Sequence, residues 1–532
     1  MKGKKRIVIV GGGIAGLTAA VYLARRWHKV TLFEKREKCG GLVNTFEYEG
    51  FKLEGGARAL VNAGVIKPMI EDLKLDIDIL PNPVSVGVEA KILRVRGEES
   101  LNDYARLLKE LYPESEHDVD NLIKVEKEIL EYMKILYGVD NPLFSFNKIK
   151  EEGKLAEMLP RYFLWFFKFL KTVKKINELK EPIEVYISKI VKNRSLRDIV
   201  IQHFFRGTPS FFALSYFYLY ADYIYPKGGV GVLPQKLTEK ITELGGEVYT
   251  NTSIVKIIPS KNTVIDEKGN SYEYDAMIWA TDLKTFYKIL DTSELSGSTL
   301  KKVEDEKKRI LSAHGAESVL TVYLGVDEPV ETFRKISTGH LFYTPLKSGL
   351  GEINRSKLKQ ITENYENTSK EEIIRWLEEF IKYNTYEISI PALRDESMAP
   401  KGKTGLIVSL LMDYELVKKV SNDGWYNEFK ELTESLIIKS LKETIYPFID
   451  EKIIFKFTST PLTLERMYGS SEGSIVGWSF ENRIPVSSGI FSMKSAVKTQ
   501  INNIYKAGKW AYAPAGIPTA IITGKLAADE VK

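Results

Sequence analysis

Cysteine is almost missing from this chain: Cys39 stands alone among 532 residues. No internal disulfide can form, and a cysteine-cluster metal site is excluded. Histidine is nearly as scarce. His28, His117, His203, His314 and His340 fall into neither an H-x-x-x-H nor an H-E-x-x-H pattern, so no metal centre is expected. Nor is there a large charge of one sign, since 76 Lys and Arg against 71 Asp and Glu leave +5; that is too little to suggest nucleic acid. No apolar run approaches the roughly 20 residues of a membrane-spanning helix. The basic residues from Lys2 to Arg6 lead straight into an apolar strand, without the small-residue cleavage site of a secretory signal. The expectation is a cytoplasmic protein, at most peripheral on a membrane. With 44% hydrophobic and 28% charged residues, a chain this long should fold into two or more globular domains.

Against these absences stands one dense signal near the N-terminus. Ile7-Val8-Ile9-Val10 suits a strand buried on both faces, and Gly11-Gly12-Gly13-Ile14-Ala15-Gly16 follows it. A helical run comes next, with Leu17, Ala20, Val21 and Ala24 on one face, and a second strand ends at Glu34. In such a unit Gly11 permits the tight turn, Gly13 lets backbone approach a pyrophosphate, and Gly16 lets helix pack on strand. The helix start at Ile14 and Ala15 presents free N–H groups and a positive dipole end to that anion. Glu34, followed by Lys35, is placed to hold a ribose hydroxyl. This is a dinucleotide site in an α/β, Rossmann-like domain. Beyond it, Gly40-Gly41-Leu42 and Gly55-Gly56-Ala57-Arg58 let more backbone lie close to the cofactor. Arg58 is expected to face a flavin or phosphate, or else to be a solvated loop arginine.

The order of these segments resembles one branch of the flavoproteins: the phytoene desaturase, carotenoid isomerase and retinol saturase group of the amine oxidase superfamily. Its pattern G-G-R-x-x-T-x-x-x-x-G-F-x-x-D-x-G is met by Gly40, Gly41, Thr45, Gly50, Phe51 and Gly56. Leu42 replaces the usual arginine and Glu54 the aspartate. Tyr225-Pro226-Lys227-Gly228-Gly229-Val230-Gly231 is similar to the group's Y-P-x-G-G-x-G segment. Ser253-Ile254-Val255-Lys256-Ile257 resembles a strand whose first residue, here Ile254, meets adenine through its backbone. Ala280-Thr281 resembles the small-residue turn that follows. Gly508 and Gly516-Ile517-Pro518 resemble the C-terminal flavin segment, with Lys509 and Trp510 where many members carry an acid.

The resemblance implies FAD bound non-covalently by these residues. It implies a flavin domain assembled from 1–80, 226–290 and 461–532, and an α+β substrate domain with a helical, membrane-associated cap from 81–225 and 291–460. It further implies hydrogen transfer to or from carbon–carbon bonds of a long apolar isoprenoid, carotenoid- or retinoid-like, with the redox chemistry belonging to the cofactor. Other readings are a carotenoid-type cis–trans isomerase, a protoporphyrinogen or amine oxidase relative, and a flavin-free prenyl-binding escort protein. The intact glycine set counts against the last.

Two aromatic stretches lie between the flavin segments. From Met158 to Lys175 the chain reads MLPRYFLWFFKFLKTVKK. Its aromatic body includes Tyr162, Phe163, Trp165, Phe166, Phe167 and Phe169, and Arg161, Lys168, Lys171 and Lys175 form a basic stripe. That composition suits a helix in the headgroup layer of a membrane, or a buried cap helix with snorkelling lysines. Residues 207–225 read GTPSFFALSYFYLYADYIY, with Asp222 the one charge. Phe211, Phe212, Tyr216 and Tyr220 are expected to line a hydrocarbon tunnel or to serve as core. Asp222 is the single carboxylate beside them, either a candidate base or a helix-end group. Helices are expected over 104–111, 119–137, 148–181, 370–383 and 428–443, and strands over 318–325 and 404–412.

Overall fold

The computed structural model describes residues 3–137, 140–145 and 155–531; the side chains of 155–162, 352, 353, 365 and 490 fall outside that description. Arg6–Val10 pairs in parallel with Lys29–Phe33 on one side and Ala276–Trp279 on the other. Glu247–Tyr249 and Ile504–Lys506 extend this sheet, also in parallel, to five strands. Ile7 to Val10 are buried, as a central parallel strand requires. The helix Ile14–Ala24 is buried along its whole length, between the helices Ile517–Glu530 and Val232–Glu243. A three-stranded antiparallel sheet, Ile254–Ile258, Thr263–Asp266 and Ser271–Glu273, lies beside this layer.

The second large element is a seven-stranded mixed sheet. Its order is Ile453–Ser459, Ser318–Val326, Thr404–Met412, Tyr386–Ser389, His340–Thr344, Val84–Val88 and Lys91–Val95. Alternation along the strands separates two faces. Leu341, Tyr343, Tyr386, Ile388, Leu406, Val408, Leu320 and Val322 turn to one side, where helices such as Lys370–Tyr383 and Tyr426–Glu443 complete a hydrophobic core. Across the other face the register aligns Val86, Phe342, Glu387, Ser409 and Thr321 in one row. That row is polar at its centre.

A helical cap covers the Val84–Val95 end of the sheet, built from Ser100–Leu111, Glu116–Tyr137, Ile183–Ile190 and Arg194–Ile201 around a core of its own. The helix expected over 148–181 runs from Leu155 to Glu178; residues 146–154 lie outside the described residues. The aromatic stretch 207–225 is not one element. It forms the short helices Ser210–Leu214 and Tyr216–Ala221 and then the strand Tyr223–Pro226. The break falls at Ser215, whose hydroxyl bonds back to the Phe212 carbonyl at 2.8 Å; serine competes with the helix ladder in this way.

The Ile504–Lys506 strand is fastened by a buried ion pair, Lys506 Nζ to Glu306 Oε1 at 3.0 Å. Burial alone would push the Glu306 carboxyl up, but the lysine outweighs it and holds the carboxyl below its usual value. Lys506→Met would leave Glu306 with Arg309 alone as a cation, 3.8 Å away. A destabilisation on the order of 3 kcal/mol is expected, read as a lower urea midpoint at pH 7; an unchanged midpoint would refute this role.

Candidate functional site

The helix Ile14–Ala24 begins uncapped. Gly13 holds the N-cap position, and no side chain accepts from the first-turn N–H groups. Asn193, Asp282, Ser369, Asp413 and Thr460 cap five other helices, while helices such as Val232–Glu243 and Gly297–Leu311 also start without a side-chain cap. The two glycines at this turn differ in their surroundings. A Cβ on Gly16 would lie 2.0 Å from the Gly11 carbonyl oxygen, whereas a Cβ on Gly13 would meet nothing within 4 Å. So one glycine is needed by the fold and the other faces open space at a helix start, where an anion is held.

The remaining sequence candidates surround this point. Glu34 is buried; its Oε2 accepts the Gly12 N–H at 2.8 Å and its Oε1 that of Arg36 at 2.9 Å. The Thr252 N–H reaches the Glu34 carbonyl at 2.9 Å and leads into Ile254 two residues on. Lys35 is exposed, its ammonium lying against Gly469. Gly40 donates to the Gly12 carbonyl at 2.8 Å, and Gly41 lies against Gly13. Leu42 acts through its carbonyl, which accepts from Ala57 at 2.9 Å and would touch any Cβ on Gly56. Ala280 and Thr281 close on Gly11 from the neighbouring strand end, and Gly508 faces Ala15.

The helix Ile517–Glu530 repeats the pattern, with Gly516 at its N-cap, no capping side chain and Pro518 in its first turn. Lys509 reaches the Ser470 hydroxyl at 2.8 Å and the Ser474 carbonyl, and burial pulls its ammonium down to about 7. Trp510 packs edge-on against Trp478. Two uncapped helix starts, an open Gly13 and a fixed ribose-type carboxylate fit FAD. The thiol of Cys39 is pushed up to about 11 by burial, so it is no nucleophile here.

Arg58 is not a solvated loop arginine. It is 4% exposed, and its guanidinium crosses to the sheet face, donating to Thr321 Oγ1 at 3.1 Å and Ser409 Oγ at 2.8 Å. Glu54 beside it is buried, accepts from the Tyr225 hydroxyl, and has its carboxyl pushed up by burial. Arg394 donates to the Arg58 carbonyl at 2.8 Å and lies over the Tyr225 ring. Next along the row, His340 Nε2 meets Glu387 Oε1 at 2.9 Å. Burial lowers the His340 pKa, so the imidazole is neutral at neutral pH and donates through Nε2. Burial would raise Glu387, but that hydrogen bond and the charges of Arg58 and Arg394 win and keep it ionised. Glu387 sits in an interior strand, yet 34% of its side chain is accessible, so it opens onto interior space.

The aromatic candidates divide. Tyr216 and Tyr220 line a cavity in the cap, whereas Phe211 and Phe212 are not among its lining residues. Asp222 accepts from the Ala63 N–H at 2.6 Å and from Asn62, which makes it a loop fastener. Sequence reasoning missed Arg394, Glu387 and Glu126 and weighed His203 and His340 only as metal ligands. No local spacing marks them, because cross-strand register and helix packing bring them together.

A five-stranded parallel sheet with these helix starts, beside a mixed sheet roofing the site, is the architecture of an FAD-dependent oxidoreductase. The family described as flavin containing amine oxidoreductase matches residues 14–532, and the chain belongs to it. An all-trans-retinol 13,14-reductase of Danio rerio is 24% identical, covering 94% of this chain and 82% of its own length. A 4,4'-diapophytoene desaturase of Staphylococcus aureus is 23% identical, covering 99% and 98%. Among solved structures, a putrescine oxidase variant superposes with a TM-score of 0.61 at 13% identity, covering 99% of this chain and 98% of that one.

The two glycines predict different failures. Gly13→Glu puts a carboxylate into the anion's place without touching the packing, so a folded protein without flavin absorbance is expected. Gly16→Ala drives a methyl into the Gly11 carbonyl, so lost thermal stability is expected even without cofactor. Normal flavin content in Gly13→Glu would remove the fingerprint from the site.

Proposed function

We propose that this flavoenzyme adds or removes hydrogen across carbon–carbon bonds of a long apolar isoprenoid, carotenoid- or retinoid-like, at a membrane surface. The observation carrying this reading is the sheet face itself. It runs from Arg58, next to the cofactor glycines, past Glu387 into a cavity walled by Tyr104, Tyr216, Phe217, Tyr220 and Phe342. Such a wall suits an unsaturated chain. The near-full-length likeness to a retinol reductase and a diapophytoene desaturase supports the same substrate class.

When bound, FAD supplies the hydride acceptor or donor. The chain supplies placement and charge: Gly13 and Glu34 hold the dinucleotide, and the start of Ile517–Glu530 offers N–H groups to negative charge developing on the cofactor. Glu387, kept ionised and held at Oε1 by neutral His340, is placed to take the accompanying proton. FAD-loaded protein mixed anaerobically with isoprenoid-bearing liposomes tests the reaction. Bleaching of the flavin means that hydrogen leaves the lipid; reoxidation of chemically reduced protein by the lipid means saturation. No response in either direction overturns the proposal. Glu387→Gln is expected to keep its flavin and to slow the response by about 10²–10⁴-fold.

Membrane delivery is supported by the helix Leu155–Glu178. Phe163, Leu164, Phe166 and Phe167 are 65%, 66%, 47% and 56% exposed, and Lys168, Lys171, Lys174 and Lys175 are exposed among or just beyond them. Phe491, 67% exposed, stands against Phe169 and widens the patch. Arg161 and Tyr162 lie outside the described side chains. Trp165 is not part of the free surface, because its indole N–H donates to the Ile135 carbonyl at 2.6 Å. Replacing Phe166 and Phe167 by Ser should weaken liposome co-sedimentation tenfold or more, since each buried ring contributes about 1.5–3 kcal/mol. Unchanged co-sedimentation would return the patch to ordinary surface.

A further inference from the structure

The cap cavity described above has a volume of about 50 Å³. A single buried water needs about 10–15 Å³ on this measure, so the cavity admits the end of a chain, not its length. Its wall is mostly aromatic and aliphatic; Thr344 and Thr385 line it bonded to each other at 2.7 Å, and two ionisable side chains interrupt it. Glu126 projects into it from the middle of Glu116–Tyr137, and His203 from just beyond Arg194–Ile201. Glu126 is 6% exposed; its Oε2 and His203 Nε2 have no hydrogen-bond partner among the described residues. Each such atom costs about 1–3 kcal/mol if it stays unpaired, and leucine at 126 would fill a purely structural core without that cost.

Their protonation narrows what they can bind. Burial pushes the Glu126 carboxyl up to about 8 and pulls the His203 imidazole down to about 4. At neutral pH both are uncharged, a carboxylic acid that donates through O–H and an imidazole with one donor and one acceptor. Among the described residues no lysine or arginine lines the cavity.

We propose that the cavity receives an uncharged oxygen function, a hydroxyl or carbonyl at one end of the isoprenoid, hydrogen-bonded by Glu126 and His203. This rests on the isoprenoid reading and refines it. A bare hydrocarbon would leave both groups unsatisfied, and a diphosphate would enter without a counter-charge. The substrate is therefore an oxygen-ended isoprenoid, not a pure hydrocarbon.

Tryptophan-fluorescence titration of the FAD-loaded protein in detergent tests this, using geranylgeraniol, the hydrocarbon with the same carbon skeleton, and geranylgeranyl diphosphate. The alcohol is expected to bind about tenfold tighter than the hydrocarbon, and the diphosphate no tighter than the hydrocarbon. Glu126→Leu should erase the preference while keeping flavin content and thermal stability, and Glu126→Gln, which still donates and accepts, should retain it. Equal binding of alcohol and hydrocarbon, or a preference that survives Glu126→Leu, overturns the proposal and leaves the isoprenoid reading standing. If neither ligand binds, both fall.

Discussion

The first-turn N–H groups of Ile14–Ala24 have no side-chain acceptor, and they stay within reach of a ligand because glycines keep Cβ atoms away. Everything around the site serves that end. The last helix lies directly on the first: a Cβ on Gly524 would sit 2.3 Å from the Ala15 carbonyl oxygen, and Arg26 donates to the Ala528 carbonyl at 2.9 Å. The two ends of the chain thus meet at the same helix. Both helices leave their starts bare, and an anionic cofactor that binds only the folded chain stabilises the fold through the same groups that hold it.

A second constraint fixes the seven-stranded sheet against that cofactor layer. Arg58, Glu54, Tyr225 and Arg394 form a largely buried, mutually bonded set whose members come from three separate stretches of chain. Removing one member of such a set leaves the others desolvated, which is far costlier than losing an exposed pair. The hairpin Thr45–Tyr48 and Phe51–Glu54 reinforces the junction by packing Phe51 and Leu53 on Tyr323, Ile407 and Phe455. The sheet face is therefore held in one register relative to the glycine turn.

What the sequence discloses and what it hides follow from the range of the interactions. Arg6–Val10, Ile14–Ala24 and Lys29–Phe33 are legible because apolar run, glycine turn and helical face are all local signals. The strands Ser318–Val326 and Thr404–Met412 are legible for the same reason. The stretch 207–225 is uniformly aromatic, so no periodicity marks the break at Ser215 or shows which rings turn inward. Arg58 reads as a loop residue because its partners, Thr321 and Ser409, lie hundreds of positions away. Trp165 looks like its exposed neighbours until a distant carbonyl claims its N–H. Glu387 and Glu126 are single carboxylates in ordinary contexts; only the row across the sheet and the helix above it show that they face the interior.

That row also grades the electrostatics of the interior. At the Arg58 end, paired charges and an ionised Glu387 sit in a low-dielectric setting where they act strongly on any charge that develops nearby. Passing Phe342 toward Val86, charge disappears and only neutral donors and acceptors remain. A long unsaturated chain laid along this face would meet charge where hydrogen moves and neutral hydrogen bonds where it ends. The order of the side chains along a single row of strand register thus places charge at one end of the interior face and neutral polar groups at the other.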